Sequence, residues 1–202
     1  MKKKAGNRPR IAELETSTKE TRITVKVNLD GTGESAISTG TRFLDHMIAA
    51  FATHSLIDIT LRAHGDLRHH IIEDSAIALG KTLASALGNR KGIVRFGSAF
   101  VPMDESLAFA SVDLVKRSYF VLKDLEIKRN TVEDLATEDL IHFFRSLSQS
   151  LECTMHIRLE YGSNDHHKIE ACFKALSVAM RKAVQKDPRR DISSTPSSKG
   201  AM

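Results

Sequence analysis

The chain has 202 residues, 41% hydrophobic and 27% charged, enough for one domain or for two small halves sharing a core. No apolar run approaches the length that spans a bilayer, and no apolar segment follows the basic start Met1 to Arg10, so the chain reads as neither a membrane protein nor a secreted one. Its net charge of +5 resides in that start: Lys2, Lys3, Lys4, Arg8 and Arg10 are five of the 30 basic residues, and the other 25 balance the 25 acidic ones. With 5% aromatics and no Trp, no stacking surface for nucleic acid is evident. Cys153 and Cys172 lack metal-type spacing and form no disulfide framework, so a cytoplasmic location is expected.

Residues 1–15 read as a flexible basic arm. From Thr21 to Leu29 the apolar residues Ile23, Val25, Val27 and Leu29 alternate as in a half-buried strand, and Asp30-Gly31-Thr32-Gly33 turns towards a second. Thr41 caps a helix running to about Thr53, and Ile57, Ile59 and Leu61 alternate as another strand. Helical spacing of Ile72, Ala76, Leu79, Leu83 and Leu87 then predicts a helix from His69, ended by Gly88. Leu107 to Leu114 and Tyr119 to Lys123 read as strands, with Pro102 at an edge or turn. Thr137-Glu138-Asp139 opens a helix containing His142, Met155 to Tyr161 alternates as a strand, and Ile169 to Val184 follows helical spacing. Residues 187–202, rich in Ser, Pro and Arg, read as a flexible tail.

The two halves repeat. His69, His70, Ile72, Glu73, Leu79 and Leu83, shifted by 97 positions, fall on His166, His167, Ile169, Glu170, Leu176 and Met180, and His46 shifted by 96 falls on His142. A duplicated strand-helix-strand-helix unit accounts for this, with residues 16–92 and 93–186 as the two halves. Each half is expected to be a β-sheet covered on one face by two helices, an α+β arrangement.

In a helix, positions i and i+4 share a face, so His69 with Glu73, and His166 with Glu170, can each hold an ion, while His70 and His167 point elsewhere and can serve another. One such motif alone is more often an ordinary helical pair. Two in register, each preceded by a lone histidine at matching distance, point to metal. By symmetry the six imidazoles and two carboxylates divide into two sets of three histidines and one glutamate, with the pairing of the halves left open. Such ligands suit Mn, Fe, Co, Ni or Zn.

The words around these ligands carry a family resemblance. Thr39-Gly40-Thr41-Arg42-Phe43-Leu44-Asp45-His46-Met47, His69-His70-Ile71-Ile72-Glu73-Asp74, Gly92-Ile93-Val94-Arg95-Phe96-Gly97, Pro102-Met103-Asp104-Glu105, His142-Phe143-Phe144, Asn164-Asp165-His166-His167-Lys168-Ile169-Glu170, Phe173-Lys174-Ala175 and Pro196-Ser197-Ser198-Lys199-Gly200 occur in this order. In them the chain resembles the imidazoleglycerol-phosphate dehydratases of histidine biosynthesis. The resemblance implies a fold like domain 2 of ribosomal protein S5 and dehydration of imidazole glycerol phosphate through a diazafulvene-like intermediate. It further implies two Mn²⁺ ions per active site and a homo-oligomer of 24 subunits with sites at subunit interfaces. Metal ligands would be His46, His69, His70, Glu73, His142, His166, His167 and Glu170, with His46, His69, Glu73, His166 and Glu170 also facing substrate. Glu20 is implied as the acid/base group and His54 as substrate-proximal. Arg95, Arg117 and Lys174 are implied as phosphate contacts, and Ser197, Ser198 and Lys199 as a tail closing over it. Asp104 and Glu105 fit a turn as well as a site.

The chain departs from the pattern at Lys116-Arg117-Ser118-Tyr119, where Gly-Arg-Pro-Tyr is usual, at Ala50, often Gln, and at a shorter loop before His69. A dinuclear metal hydrolase acting on a small phosphorylated substrate is the alternative reading, and a metal-storage protein a third.

Overall fold

The structure, a computed structural model, describes residues 9–200. The first half contains β1 (Ile11–Ser17), β2 (Thr21–Asn28), β3 (Ser35–Ser38), α1 (Arg42–Ser55), β4 (Asp58–Gly65) and α2 (Arg68–Leu87). The second contains β5 (Phe96–Met103), β6 (Ser106–Asp113), β7 (Tyr119–Lys123), a two-residue hairpin of β8 (Thr131–Val132) and β9 (Leu135–Ala136), α3 (Thr137–Ser150), β10 (Thr154–Tyr161) and α4 (Asp165–Ala183). The first sheet has the order β1-β2-β4-β3 and the second β5-β6-β10-β7. In both, three antiparallel strands end in one parallel neighbour, β3 against β4 and β7 against β10. The duplication seen in the register of the histidines is thus a duplication of topology.

Alternation along β2 places Ile23, Val25 and Val27 in the core, where Ile59 and Leu61 of β4 join them. Helices α1 and α2 cover the first sheet, α3 and α4 the second, and each helix also packs on one from the other half: α1 on α4 and α2 on α3. The halves therefore share one helical core, including Phe143, Phe144 and Phe173.

Three expectations are corrected. The arm of residues 1–15 is in part a strand: Ile11–Ser17 is the outer strand β1, paired from Ile11↔Asn28 to Ser17↔Arg22, and residues 1–8 lie outside the described residues. Its alternation of Ala12, Leu14 and Thr16 was weak because an edge strand buries little apolar surface. The tail from residue 187 to 200 is not loose. Gly92 N–H donates to Ser194 O at 2.9 Å and Arg95 Nη1 to Pro196 O at 2.8 Å. Thr41 occupies the position before α1 but its side chain caps nothing; Asp134, from the β8–β9 turn, accepts from the N–H groups of Arg42 and Phe43 at 2.7 and 2.9 Å.

Arg90, in the connection between halves, is fully buried. Its guanidinium donates to Leu151 O and Glu152 O at 2.6 and 2.7 Å, at the C-terminal end of α3 where a cation complements the helix dipole. Arg90→Ala should leave both carbonyls without a donor and cost about 2–4 kcal/mol in urea unfolding. An unchanged unfolding midpoint would show that the tie between halves lies elsewhere.

Candidate metal centre

All four helices begin near one end of the domain, and the histidines lie in or near their first turns. Asn164 caps α4: its side-chain oxygen accepts from the N–H of His166 at 2.9 Å and of His167 at 3.4 Å, holding the start of the second motif.

Two ligand groups result. His46 of α1 meets His166 and Glu170 of α4, and His142 of α3 meets His69 and Glu73 of α2; within each group one ligand atom per residue lies within 4.8 Å of the others. Each motif is therefore joined by the lone histidine of the opposite half, which resolves the pairing that the sequence left open. Imidazole nitrogens and one carboxylate at this spacing fit a divalent first-row transition ion.

His70 and His167 lie outside both groups. His70 Nδ1 is 2.8 Å from Asp66 and 3.8 Å from Glu20, and His167 Nδ1 is 2.7 Å from Glu105. These hydrogen bonds hold both imidazoles above their ordinary pKa. Glu105 also accepts from Ser163 and Asn164 N–H and lies far below the usual carboxylate range, for those donors and for His167. A third carboxylate, buried Asp139 of α3, stands 2.6 Å from His69 Nδ1 and raises its pKa. Asp66, Glu105 and Asp139 were not selected from sequence as site residues. For Asp139 the spacing held the signal: it precedes His142 by three residues, on the same helical face.

Glu170 is almost fully buried; burial pushes its pKa up, but the Lys174 hydrogen bond and charge outweigh it and the net shift is downward. Lys174 Nζ is 2.7 Å from Glu170 and donates to Met103 Sδ, so here it pairs with a ligand-group carboxylate rather than joining the other phosphate candidates. His54, in the last turn of α1, is held below its usual pKa by burial and by the charge of Lys174. Glu20 lies exposed in the tight turn between β1 and β2.

Arg95, Arg117, Ser197, Ser198 and Lys199 line one cleft of about 400 Å³, together with Val115 and Lys116. Arg95 is fixed by Asp113 at 2.6 and 2.9 Å. This cleft adjoins the far end of α4, since Arg95 N–H donates to Ala183 O. At 1.5 Å per residue, roughly 25 Å of helix separates Ala183 from His166. The cationic cleft and the His46–His166–Glu170 group are thus brought to opposite ends of α4.

Known proteins resemble this chain over most of its length. The profile of the family described as imidazoleglycerol-phosphate dehydratase matches residues 39–180. The imidazoleglycerol-phosphate dehydratase of Chlorobaculum parvum is 51% identical over 179 residues, 87% of this chain and 92% of that one. That of Dehalococcoides mccartyi is 46% identical over 193 residues, 96% of this chain and 97% of that one. Among solved structures, the Staphylococcus aureus dehydratase superposes with a TM-score of 0.80 at 34% identity, covering 88% of this chain and 99% of that one. The Pyrococcus furiosus enzyme, crystallised with the compound (S)-C348, also gives 0.80, at 36% identity over 94% of this chain and all of that one. With its doubled fold, its paired ligand groups and these relatives, the chain belongs to the imidazoleglycerol-phosphate dehydratase family.

Proposed function

We propose that the chain is a hydro-lyase that converts D-erythro-imidazole glycerol phosphate to imidazole acetol phosphate in histidine biosynthesis. The observation that carries this reading is the pair of His-His-Glu groups, each built across the two halves, in a chain of this family. Two Mn²⁺ ions per active site fit two groups of this composition. Bound there, the metal pair supplies Lewis-acid stabilisation of negative charge on the substrate's imidazole.

Each group offers two histidines and one glutamate, whereas the proposed set has three histidines. His70 and His167 lie outside both groups of their own chain, so each is taken to complete a group of another copy. The phosphate cleft leads to the same arrangement. A substrate with three carbons between ring and phosphate does not bridge roughly 25 Å, so the cleft of one copy serves the ligand groups of another. Both observations support a homo-oligomer with sites between subunits, and 24 subunits is the assembly we propose. Free buried thiols fit a cytoplasmic location.

The reaction breaks the carbon–oxygen bond beside the ring and removes a proton from the next carbon; the resulting enol tautomerises to the ketone. Glu20, exposed and close to His70, is the proposed acid/base group, with neutral His54 as its companion near Lys174. Arg95 and Arg117 grip the phosphate oxygens, and Ser197, Ser198 and Lys199 close the tail over them. Lys174 joins the phosphate set only by turning from Glu170. The dinuclear hydrolase reading is not favoured: imidazoles outnumber carboxylates six to two.

Chelator-stripped protein should form keto product from imidazole glycerol phosphate only after Mn²⁺ is returned. Release of inorganic phosphate in place of ketone would indicate the hydrolase. His70→Ala and His167→Ala should each lower metal content and abolish turnover, and full retention of both properties would remove these residues from the ligand sets. Glu20→Gln should keep its metal but lose turnover by a factor of about 10²–10⁴; loss of metal there would give Glu20 a different role.

A further inference from the structure

The two ligand groups come from one repeated motif, yet their surroundings differ at corresponding positions. Three residues before His142 on α3 stands Asp139; three residues before His46 on α1 stands Phe43. Asp139 is buried, and its carboxylate accepts from His69 Nδ1 at 2.6 Å, leaving Nε2 directed at Glu73 at 3.7 Å. Phe43 instead lays its ring 4.7 Å from that of His166, whose Nδ1 is 3.3 Å from the exposed Glu133. Four residues after each glutamate the contrast recurs. Glu170 is followed by Lys174, whose ammonium sits 2.7 Å from it; Glu73 is followed by Ile77.

The charges add in one direction. Glu73 and Asp139 bring two negative charges to one group, while Glu170 and Lys174 cancel in the other. Arg42 and Glu133 in the adjoining cleft offset each other, and Asp134 there keeps its charge against the N–H groups at the start of α1, so this group carries the smaller negative charge of the two. A carboxylate hydrogen-bonded to a ligand imidazole fixes its tautomer and ring orientation and makes it a better donor.

We infer that the two metal positions are unequal: the His69–Glu73–His142 group holds its ion more tightly, with Asp139 as its positioning residue, and the His46–His166–Glu170 group holds the exchangeable ion. This rests on the reading of both groups as metal ligands. The expected separation is about tenfold or more, the size of effect that outer carboxylates have on metal affinity.

Mn²⁺ titration of the chelator-stripped full-length protein, followed by calorimetry, tests this. Wild type should show two affinity classes. In a Glu170→Gln background the tight class should remain, and adding Asp139→Asn should weaken it by about 10–100-fold. In a Glu73→Gln background the weak class should remain and barely respond to Asp139→Asn. Lys174→Met should tighten the weak class, a gain that misfolding does not produce. Two indistinguishable classes, an equal effect of Asp139→Asn in both backgrounds, or no gain from Lys174→Met would overturn the inequality while leaving the metal centre standing. No Mn²⁺ binding in folded wild type would overturn the metal centre and the inequality with it.

Discussion

Helix α1 packs against α4 and α2 against α3, and each of these contacts joins one half of the chain to the other. Among the described residues, neither half has a candidate ligand group of its own. The first contributes a motif on α2 and a lone histidine on α1, and the second contributes the same on α4 and α3; only the crossed packing brings each motif to its histidine. The apolar residues between these helices therefore do two things at once. They bury the apolar face that a single four-stranded sheet with two helices would leave partly open, and they set donor atoms within a few ångströms of one another. Arg90, bridging the connection between halves to the end of α3, and Asp134, bridging the second half to the start of α1, tie the halves together at two further points.

Much of this was legible in the residues. Period-2 alternation located β2 and β4, helical spacing located α2 and α4, and the 97-residue shift announced the duplication. What alternation did not reveal was β1, because its inward side carries only Ala12, Leu14 and Thr16 and little apolar contrast. The cap of α1 was also hidden: Asp134 lies more than ninety residues from the N–H groups it accepts from, and local spacing carries no information about such a contact. Ser and Pro content alone suggests a loose tail, yet its backbone bonds to Gly92 and its contact with Arg95 give it a fixed path. Composition reports the absence of an apolar face, and here polar bonds supply the anchorage instead.

The candidate ligand residues stand out by spacing, and six of the eight are brought together in two groups, whereas of the carboxylates behind them only Asp139 carried a spacing signal. Asp66 and Glu105 are ordinary acids in sequence, Asp139 shares a helical face with His142, and the folded geometry sets each against an imidazole Nδ1. Their effect is to hold rings in place before any ion or substrate arrives. Within this shared plan the duplicated halves have diverged: Asp139 corresponds to Phe43, and Ile77 to Lys174. A symmetric backbone thus carries two chemically different positions.

Sites shared between copies are the central feature of the proposed enzyme, and complementation between two inactive variants tests them most directly. His46→Ala and His70→Ala proteins, each without turnover, are dissociated, mixed, reassembled with Mn²⁺ and assayed for keto product. Shared sites should give recovered activity in the mixture and none in either variant treated alone, because His46 from one chain can meet His70 from another. Mixed assemblies that form fully, bind metal and remain inactive would mean that each chain supplies its whole site itself, contradicting the shared centre.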